Sequence, residues 1–400
     1  MKTKDLWTSK DKCCGCELCS QSCPRSLIEM KTDEEGFLYP DVVHDEKCIN
    51  CLMCVKVCPV KSPGRKACDI IRGYGGYSND VAELKSCASG GFASAVSYCF
   101  IKQIGGIVYG VRYSDDFSFA EYGRAEEIES LSSFKGSKYV QARKGSIYND
   151  VLNDLKEGRE VLFIGLPCDI SAVYHHVGKK YQDKLYTIAL ICHGPTSNVV
   201  QEDYSQRLER KYKSAISSFS VRYKKTGWKP YYINATFVSG KHYRRQFDFS
   251  DYGIAFQYMK RPSCSVCQYK YGNNLFGTIA DVTIGDFHSA RKGTYEYNKW
   301  GVSQACTHTN KGEKLITLLN VNCTLFDIPK AKLAHSNKAF FSCVPSKPER
   351  ELFVSILKMT SLHKACSHNK IYYPYIFGRI RKRVLMTLVK IRSNIFKLLK

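Results

Sequence analysis

No uninterrupted apolar run in this chain is long enough to cross a bilayer, which excludes an ordinary membrane-spanning helix. Met1 to Lys12 is polar and lysine-rich and lacks the apolar core of a secretory leader, so the expected compartment is the cytoplasm. Acid is scarce as well: 37 Asp and Glu stand against 60 Lys and Arg, a net charge of +23. Such a surface attracts anionic partners, whether acidic protein, anionic lipid or nucleic acid. The length of 400 residues exceeds one ordinary core, so two or three domains are expected.

Cysteine, by contrast, is abundant, at 20 residues. A reducing compartment disfavours disulfides, so clustered cysteines point to metal ligation. Cys13, Cys16, Cys19 and Cys23 before Pro24 spell C-x2-C-x2-C-x3-C-P, and Cys48, Cys51, Cys54 and Cys58 before Pro59 repeat it. Three cysteines at three-residue steps let one loop wrap three corners of a 4Fe-4S cubane, and the fourth reaches across to the other cluster. Cys13, Cys16, Cys19 and Cys58 are therefore expected to hold one cluster, and Cys48, Cys51, Cys54 and Cys23 the other. Zinc is the competing reading, but a tetrahedral ion needs four ligands and gives no reason for two identical runs of this kind. Cys14, outside both runs, reads as a filler.

Lys61, Pro63, Gly64, Arg65 and Lys66 form a linker that marks a boundary near residue 65. Beyond it, Ser89-Gly90-Gly91 opens a helical pattern from Phe92 to Gln103, a turn that either caps the helix or holds a phosphate. The segments 106–111, 134–139, 160–165 and 185–191 read as strands. Cys168 and Cys192 follow the last two, at the strand ends where α/β sheets place their sites. With Cys264 and Cys267 they supply four thiols for a third 4Fe-4S cluster, a looser pattern that buried structural cysteines match equally well.

The order Ser89-Gly90-Gly91, Lys135-Gly136-Ser137-Lys138-Tyr139, Leu166-Pro167-Cys168, Cys192-His193-Gly194, Cys264-Ser265-Val266-Cys267 and Ala280 to Phe287 resembles the coenzyme F420 hydrogenase/dehydrogenase beta-subunit family, from residue 1 to about residue 330. The resemblance implies an FAD beside a 4Fe-4S cluster on Cys168, Cys192, Cys264 and Cys267. It gives Ser89, Gly90 and Gly91 a phosphate-binding role and sets Lys138 and Tyr139 near the flavin. It makes His193 and Lys138 candidate catalytic residues, and Asp281 and Asp286 candidates for ribityl hydroxyls or substrate. Bland alternatives stand beside these: an exposed loop lysine, a histidine serving a cysteine sulfur, and aspartates that cap a turn. The fused ferredoxin-like module and the extension after residue 330 depart from the hydrogenase members.

From Arg379 to Lys400 the chain has basic residues and no acid, with Ile380, Val384, Leu388, Ile391 and Ile395 at helical steps. This basic amphipathic helix suits either an anionic membrane surface, on the inner face of the membrane, or docking on its own domain. Nucleic acid is not expected, because the aromatics Tyr372, Tyr373, Tyr375 and Phe377 precede the basic stretch.

The expected fold is α+β: a bacterial-type ferredoxin module over 1–65, a larger α/β flavin and iron–sulfur domain over 66–345, and an extension over 346–400. The expected function is an iron–sulfur flavoprotein oxidoreductase that works between a redox partner protein, such as a ferredoxin or reductase, and a small organic molecule. A non-catalytic electron-transfer or scaffold subunit is the alternative.

Overall fold

The computed structural model describes residues 6–62, 68–271 and 279–398. Pro63 to Lys66 and Leu399 and Lys400 lie outside the described residues, as do the side chains of Arg383, Lys390, Arg392 and Lys397.

The N-terminal module is built around the antiparallel hairpin of β1 (Ile28–Thr32) and β2 (Leu38–Val42). Short helices Leu18–Gln21 and Met53–Lys56 flank it. The sequence repeat is written into the backbone. Gly15 and Glu17 have φ of 66° and 64°, and their counterparts Asn50 and Leu52 have 53° and 59°. Three of those four residues are not glycine, so both loops accept left-handed backbone to aim their cysteines inward.

The larger part is an eight-stranded sheet. In chain order its strands are β3 (Arg72–Ser78), β4 (Ile107–Tyr113), β5 (Ala120–Ala125), β6 (Val161–Gly165) and β7 (Leu185–Leu190), and after an insertion β11 (Val282–Asp286), β12 (Ser303–Thr307) and β13 (Cys323–Asp327). Their spatial order is β13-β3-β12-β11-β7-β6-β4-β5. The central four, β11-β7-β6-β4, are parallel, and antiparallel strands flank them on both sides. Residue alternation separates the two faces. Val161 and Phe163 pack with Ile170 and Val173 of the helix Pro167–Val177, while Leu162 and Ile164 pack with Phe92 and Val96 of the helix Phe92–Cys99. Both faces are covered, which is why β6 reads as an unbroken apolar run. The insertion forms a separate antiparallel sheet of β8 (Ile216–Tyr223), β9 (Tyr232–Phe237) and β10 (His242–Gln246).

The segment expected as a strand at 134–139 is irregular. Gly136 turns the chain at φ 78°, and Lys138 donates to the carbonyls of Lys135 (2.9 Å) and Ser133 (3.0 Å), folding the segment onto itself. The C-terminal helix starts earlier than the basic stretch and runs Asn369–Leu398. Ile371 and Tyr375 bury its first turns against Tyr258 and Phe353, and Arg379 pairs with Asp248 at 3.1 Å. None of the described helices is long and apolar enough to cross a membrane.

The module is bound to the larger part by buried polar contacts. Arg261, 1% exposed, donates from Nε to the Cys13 carbonyl (2.9 Å), from Nη1 to Gln141 Oε1 (2.9 Å) and from Nη2 to the Leu38 carbonyl (3.0 Å). Gln141 Nε2 donates to the carbonyls of Cys14 and Gly15, and the Tyr148 hydroxyl donates to that of Cys16 at 2.9 Å. Arg350 pairs with Glu35.

A Cβ on Gly15 would sit 2.6 Å from the Arg261 guanidinium carbon, in backbone at φ 66°. Gly105, at φ 68°, has nothing within 4 Å of its would-be Cβ. We expect Gly105→Ala to cost about 1–2 kcal/mol, the left-handed backbone share alone. Gly15→Ala should cost clearly more, and anaerobic thermal melts followed by circular dichroism compare the two.

Candidate functional site

The cysteines of the two runs come together across the repeat. Burial pushes up the thiols of Cys13, Cys16 and Cys19, and in each case Cys58 adds to the effect. The fourth cysteine of the second run therefore faces the first three of the first run. Conversely, Cys23 lines one small pocket with Cys48, Cys51 and Cys54, walled by Leu27, Ile28 and Val42. The fourth cysteine of each run thus lies with the first three of the other.

A third group forms at the C-terminal ends of β6 and β7. Cys264 is pushed well up by burial, then by Cys192, Cys168 and Cys267. The loop before Cys264 fits only because residue 194 is glycine: at φ 94°, a Cβ there would lie 2.9 Å from the Cys264 Cβ. The Gly194 amide donates to Cys192 Sγ at 3.2 Å. Lys270 donates to the carbonyl of Cys192 at 2.5 Å, and Cys343 Sγ donates to that of Cys267. Among the described residues no three His, Cys, Asp or Glu side chains converge tightly enough for a single metal ion. A cubane spreads its four ligands over four irons and asks for a wider set.

Cys14, outside the runs, has its thiol close to both Cys16 and Cys168, between the first group and the third. Behind it, Lys144 lies 3.4 Å from Asp169 with both side chains buried, and the Lys144 amide donates to Glu17.

Beyond the third group a basic and aromatic cluster gathers at the C-terminal end of β11. Arg222 forms a two-bond pair with Asp286, at 3.1 and 2.8 Å. Burial opposes the charge on Asp286, but Arg222, His288 and Lys229 overcome it and hold its pKa below the usual carboxylate range. His193 faces this group from the cysteine side; desolvation, with Lys260 and Lys270 nearby, pulls its pKa down to about 4. Tyr139 stacks on Phe256 with ring centroids 4.5 Å apart and is within electrostatic range of Arg222 and Asp286. Lys224 donates to the carbonyls of Ser89 (2.7 Å) and Leu84 (2.6 Å), and burial lowers its pKa to about 8. Trp228 stacks against His288.

Ser89, Gly90, Gly91, Tyr139, His193 and Asp286 are therefore brought to one region. Gly91, at φ 88°, leads into the helix Phe92–Cys99. Gly90 lies against β3 and β12, its amide donating to Ser303 Oγ. Glu83 accepts from Ser94 in the first turn of that helix and pairs with Lys135 at 2.5 Å, so an internal carboxylate already meets part of the helix end. Two expected residues are placed elsewhere. Asp281 lies at the opposite end of β11 from Asp286, fully buried, where it accepts from the Thr187 amide and hydroxyl and from Thr309. Lys138 spends its ammonium on the carbonyls of its own loop, and burial lowers its pKa to about 7.

Sequence reasoning missed Arg222, Lys224, Trp228, Arg261 and His288. Alternation along the end of β8, which puts Arg222 and Lys224 on one face before Trp228, was a usable signal. Buried donors without partners mark the same place: Arg222 Nε and Trp228 Nε1. The cluster offers cations, unspent donors and aromatic faces, which suits an anionic, aromatic ligand.

Residues 12–62 match the family model of the 4Fe-4S dicluster domain, and residues 158–325 that of the coenzyme F420 hydrogenase/dehydrogenase beta subunit, C terminus. Ferredoxin-3 of Nostoc sp. is 35% identical over 63 residues, covering 12% of this chain and 65% of the ferredoxin. A chain of the F420-reducing NiFe hydrogenase complex from Methanosarcina barkeri superposes with a TM-score of 0.46 at 16% identity, over 75% of this chain and 91% of that one.

Asp286→Asn would leave the guanidinium of Arg222, whose side chain is 8% exposed, without its counter-charge. The expected loss is about 3 kcal/mol. Most of it should return in Asp286→Asn combined with Arg222→Met, and anaerobic urea unfolding of the three variants measures the recovery.

Proposed function

From a chain that joins a 4Fe-4S dicluster domain to a C-terminal segment of the coenzyme F420 hydrogenase/dehydrogenase beta-subunit family, we infer an iron–sulfur flavoprotein oxidoreductase. It passes electrons between a one-electron carrier and an organic substrate. Three stretches divide the work: 1–65 takes up or delivers single electrons, 66–345 carries the third cluster and the FAD site, and 346–400 positions the protein.

The observation that carries this reading is the packing of the first cysteine loop, through Arg261, Gln141 and Tyr148, onto the part of the chain that gathers Cys168, Cys192 and Cys264, with the Cys14 thiol close to both Cys16 and Cys168. Cys13, Cys16, Cys19 and Cys58 would hold one cluster, Cys23, Cys48, Cys51 and Cys54 a second, and Cys168, Cys192, Cys264 and Cys267 a third. Bound FAD would supply the conversion between single-electron and hydride chemistry. Ser89, Gly90 and Gly91 with Lys224 would hold its phosphates, and Arg222, Trp228 and Tyr139, with their donors and ring faces, would hold the rest. His193, between the third cysteine group and Asp286, would donate a hydrogen bond to substrate or flavin. Lys138 supports Tyr139 by closing the loop before it.

Two surfaces suit partners. Ile49, Leu52 and Met53, exposed at 55, 47 and 44%, rim the pocket of the second cysteine group and offer an apolar face to a redox protein such as a ferredoxin or reductase. Its approach would be drawn by the basic surface if that partner is acidic. The C-terminal helix leaves Phe377, Ile380, Val384, Leu385 and Leu388 exposed, at 66, 46, 53, 60 and 56%, on a segment with basic residues and no acid. That stripe fits an anionic lipid surface on the inner face of the membrane, where apolar burial and cationic attraction add.

Anaerobically purified protein should contain about twelve irons, four for each of three clusters, with matching sulfide and one flavin. Cys168→Ser should remove about a third of the iron. A protein with about eight irons and no flavin would instead be an electron-transfer or scaffold subunit, and the catalytic reading would fall.

For the helix, the full chain should sediment with vesicles containing phosphatidylglycerol and not with pure phosphatidylcholine. Phe377→Ser with Val384→Ser and Leu388→Ser should abolish binding. Unchanged sedimentation of that variant, or its loss of a dimer formed by the parent chain, would assign the stripe to something other than lipid.

A further inference from the structure

This inference rests on the reading of the cysteines as cluster ligands and concerns Arg261. Its guanidinium is buried, and among the described residues it has no Asp or Glu partner. It faces carbonyl oxygens, Gln141 and two aromatic rings, Tyr39 at 4.1 Å and Phe37 at 5.6 Å. Among the groups near it that can carry negative charge, Cys13 stands first, with its Sγ 3.6 Å from Nη2; Tyr39, Cys14 and Cys264 follow. A cation taken out of water and given no carboxylate needs a compensating anion. A cluster on Cys13, Cys16, Cys19 and Cys58 would be that anion.

Among the described residues the second cysteine group has no buried equivalent. The cations beside it, Arg25, Lys47 and Lys56, are exposed and screened by solvent. The sequence repeat makes the two clusters alike in their ligands, so their difference lies in what surrounds them. Reduction adds negative charge, and hydrogen bonds to sulfur and nearby charge are among the factors that set such potentials. We propose that Arg261 raises the reduction potential of the cluster on Cys13, Cys16, Cys19 and Cys58 above that of the cluster on Cys23, Cys48, Cys51 and Cys54. Electrons that arrive at the exposed rim of Ile49, Leu52 and Met53 are thereby drawn inward, toward Cys14 and Cys168. Arg261 is a positioning and tuning residue and touches no substrate.

The test is a redox titration of the full-length protein, followed by electron paramagnetic resonance, after iron and sulfide have been assayed. The peripheral signal is the one lost in Cys51→Ala. In the parent protein the inner midpoint should lie above the peripheral one. Arg261→Gln should lower the inner cluster's reduction equilibrium tenfold or more, about 59 mV for one electron. Arg261→Lys, which keeps the charge, should stay within about threefold of the parent, and the peripheral midpoint should not move in either variant.

Equal or inverted midpoints in the parent protein would overturn the proposal, as would an inner midpoint indifferent to Arg261→Gln. If Arg261→Gln loses its iron, the midpoint order of the parent and the behaviour of Arg261→Lys decide. A parent protein without iron and sulfide would overturn the reading of the cysteines itself. Iron present with unmoved midpoints would overturn only the role of Arg261.

Discussion

A buried guanidinium holds this molecule together. Arg261 reaches from the loop just before Cys264 into the first cysteine loop, where it binds the Cys13 carbonyl and stacks on Tyr39. Much else follows from that contact. Residue 15 has to be glycine to admit it, Gln141 has to bridge it to Cys14 and Gly15, and the hairpin must place Leu38 and Tyr39 on its far side. The contact fixes the N-terminal module against the end of the parallel strands, where Cys168 and Cys192 emerge. A ferredoxin-like module on a loose tether would have met none of these requirements.

Parallel strands supply the other half of the arrangement. β6 and β7 are neighbours in register, Gly165 opposite Ala189, so the loops that leave them lie side by side. That adjacency brings Cys168 and Cys192, distant in sequence, to one place and lets the Cys264–Cys267 loop close over them. Asp286 ends the next parallel strand on the same edge, which carries the site on from sulfur to the cluster around Arg222.

The dicluster module and the gathering of its eight cysteines into two groups were legible because the spacing is local and repeated. The strands β4, β6 and β7 were legible because burial on both faces leaves continuous apolar runs. Asp281 and Asp286 looked equivalent in sequence, yet five residues of extended chain put them at opposite ends of a strand, and only the fold tells them apart. Lys138 lies in a segment mistaken for a strand, where Gly136 sends the chain back on itself. Arg261 and Cys14 were invisible for a different reason. Their importance lies in contacts between parts of the chain more than a hundred residues apart, which no spacing rule reports.

We propose that clusters on the first and third cysteine groups lie on one electron path. Pulsed electron paramagnetic resonance of dithionite-reduced Cys51→Ala protein, in which the peripheral cluster is removed, measures this most directly. The account predicts two reduced clusters whose spins interact, with the interaction lost in Cys51→Ala combined with Cys168→Ser. A single isolated spin, or two that do not interact, would contradict it.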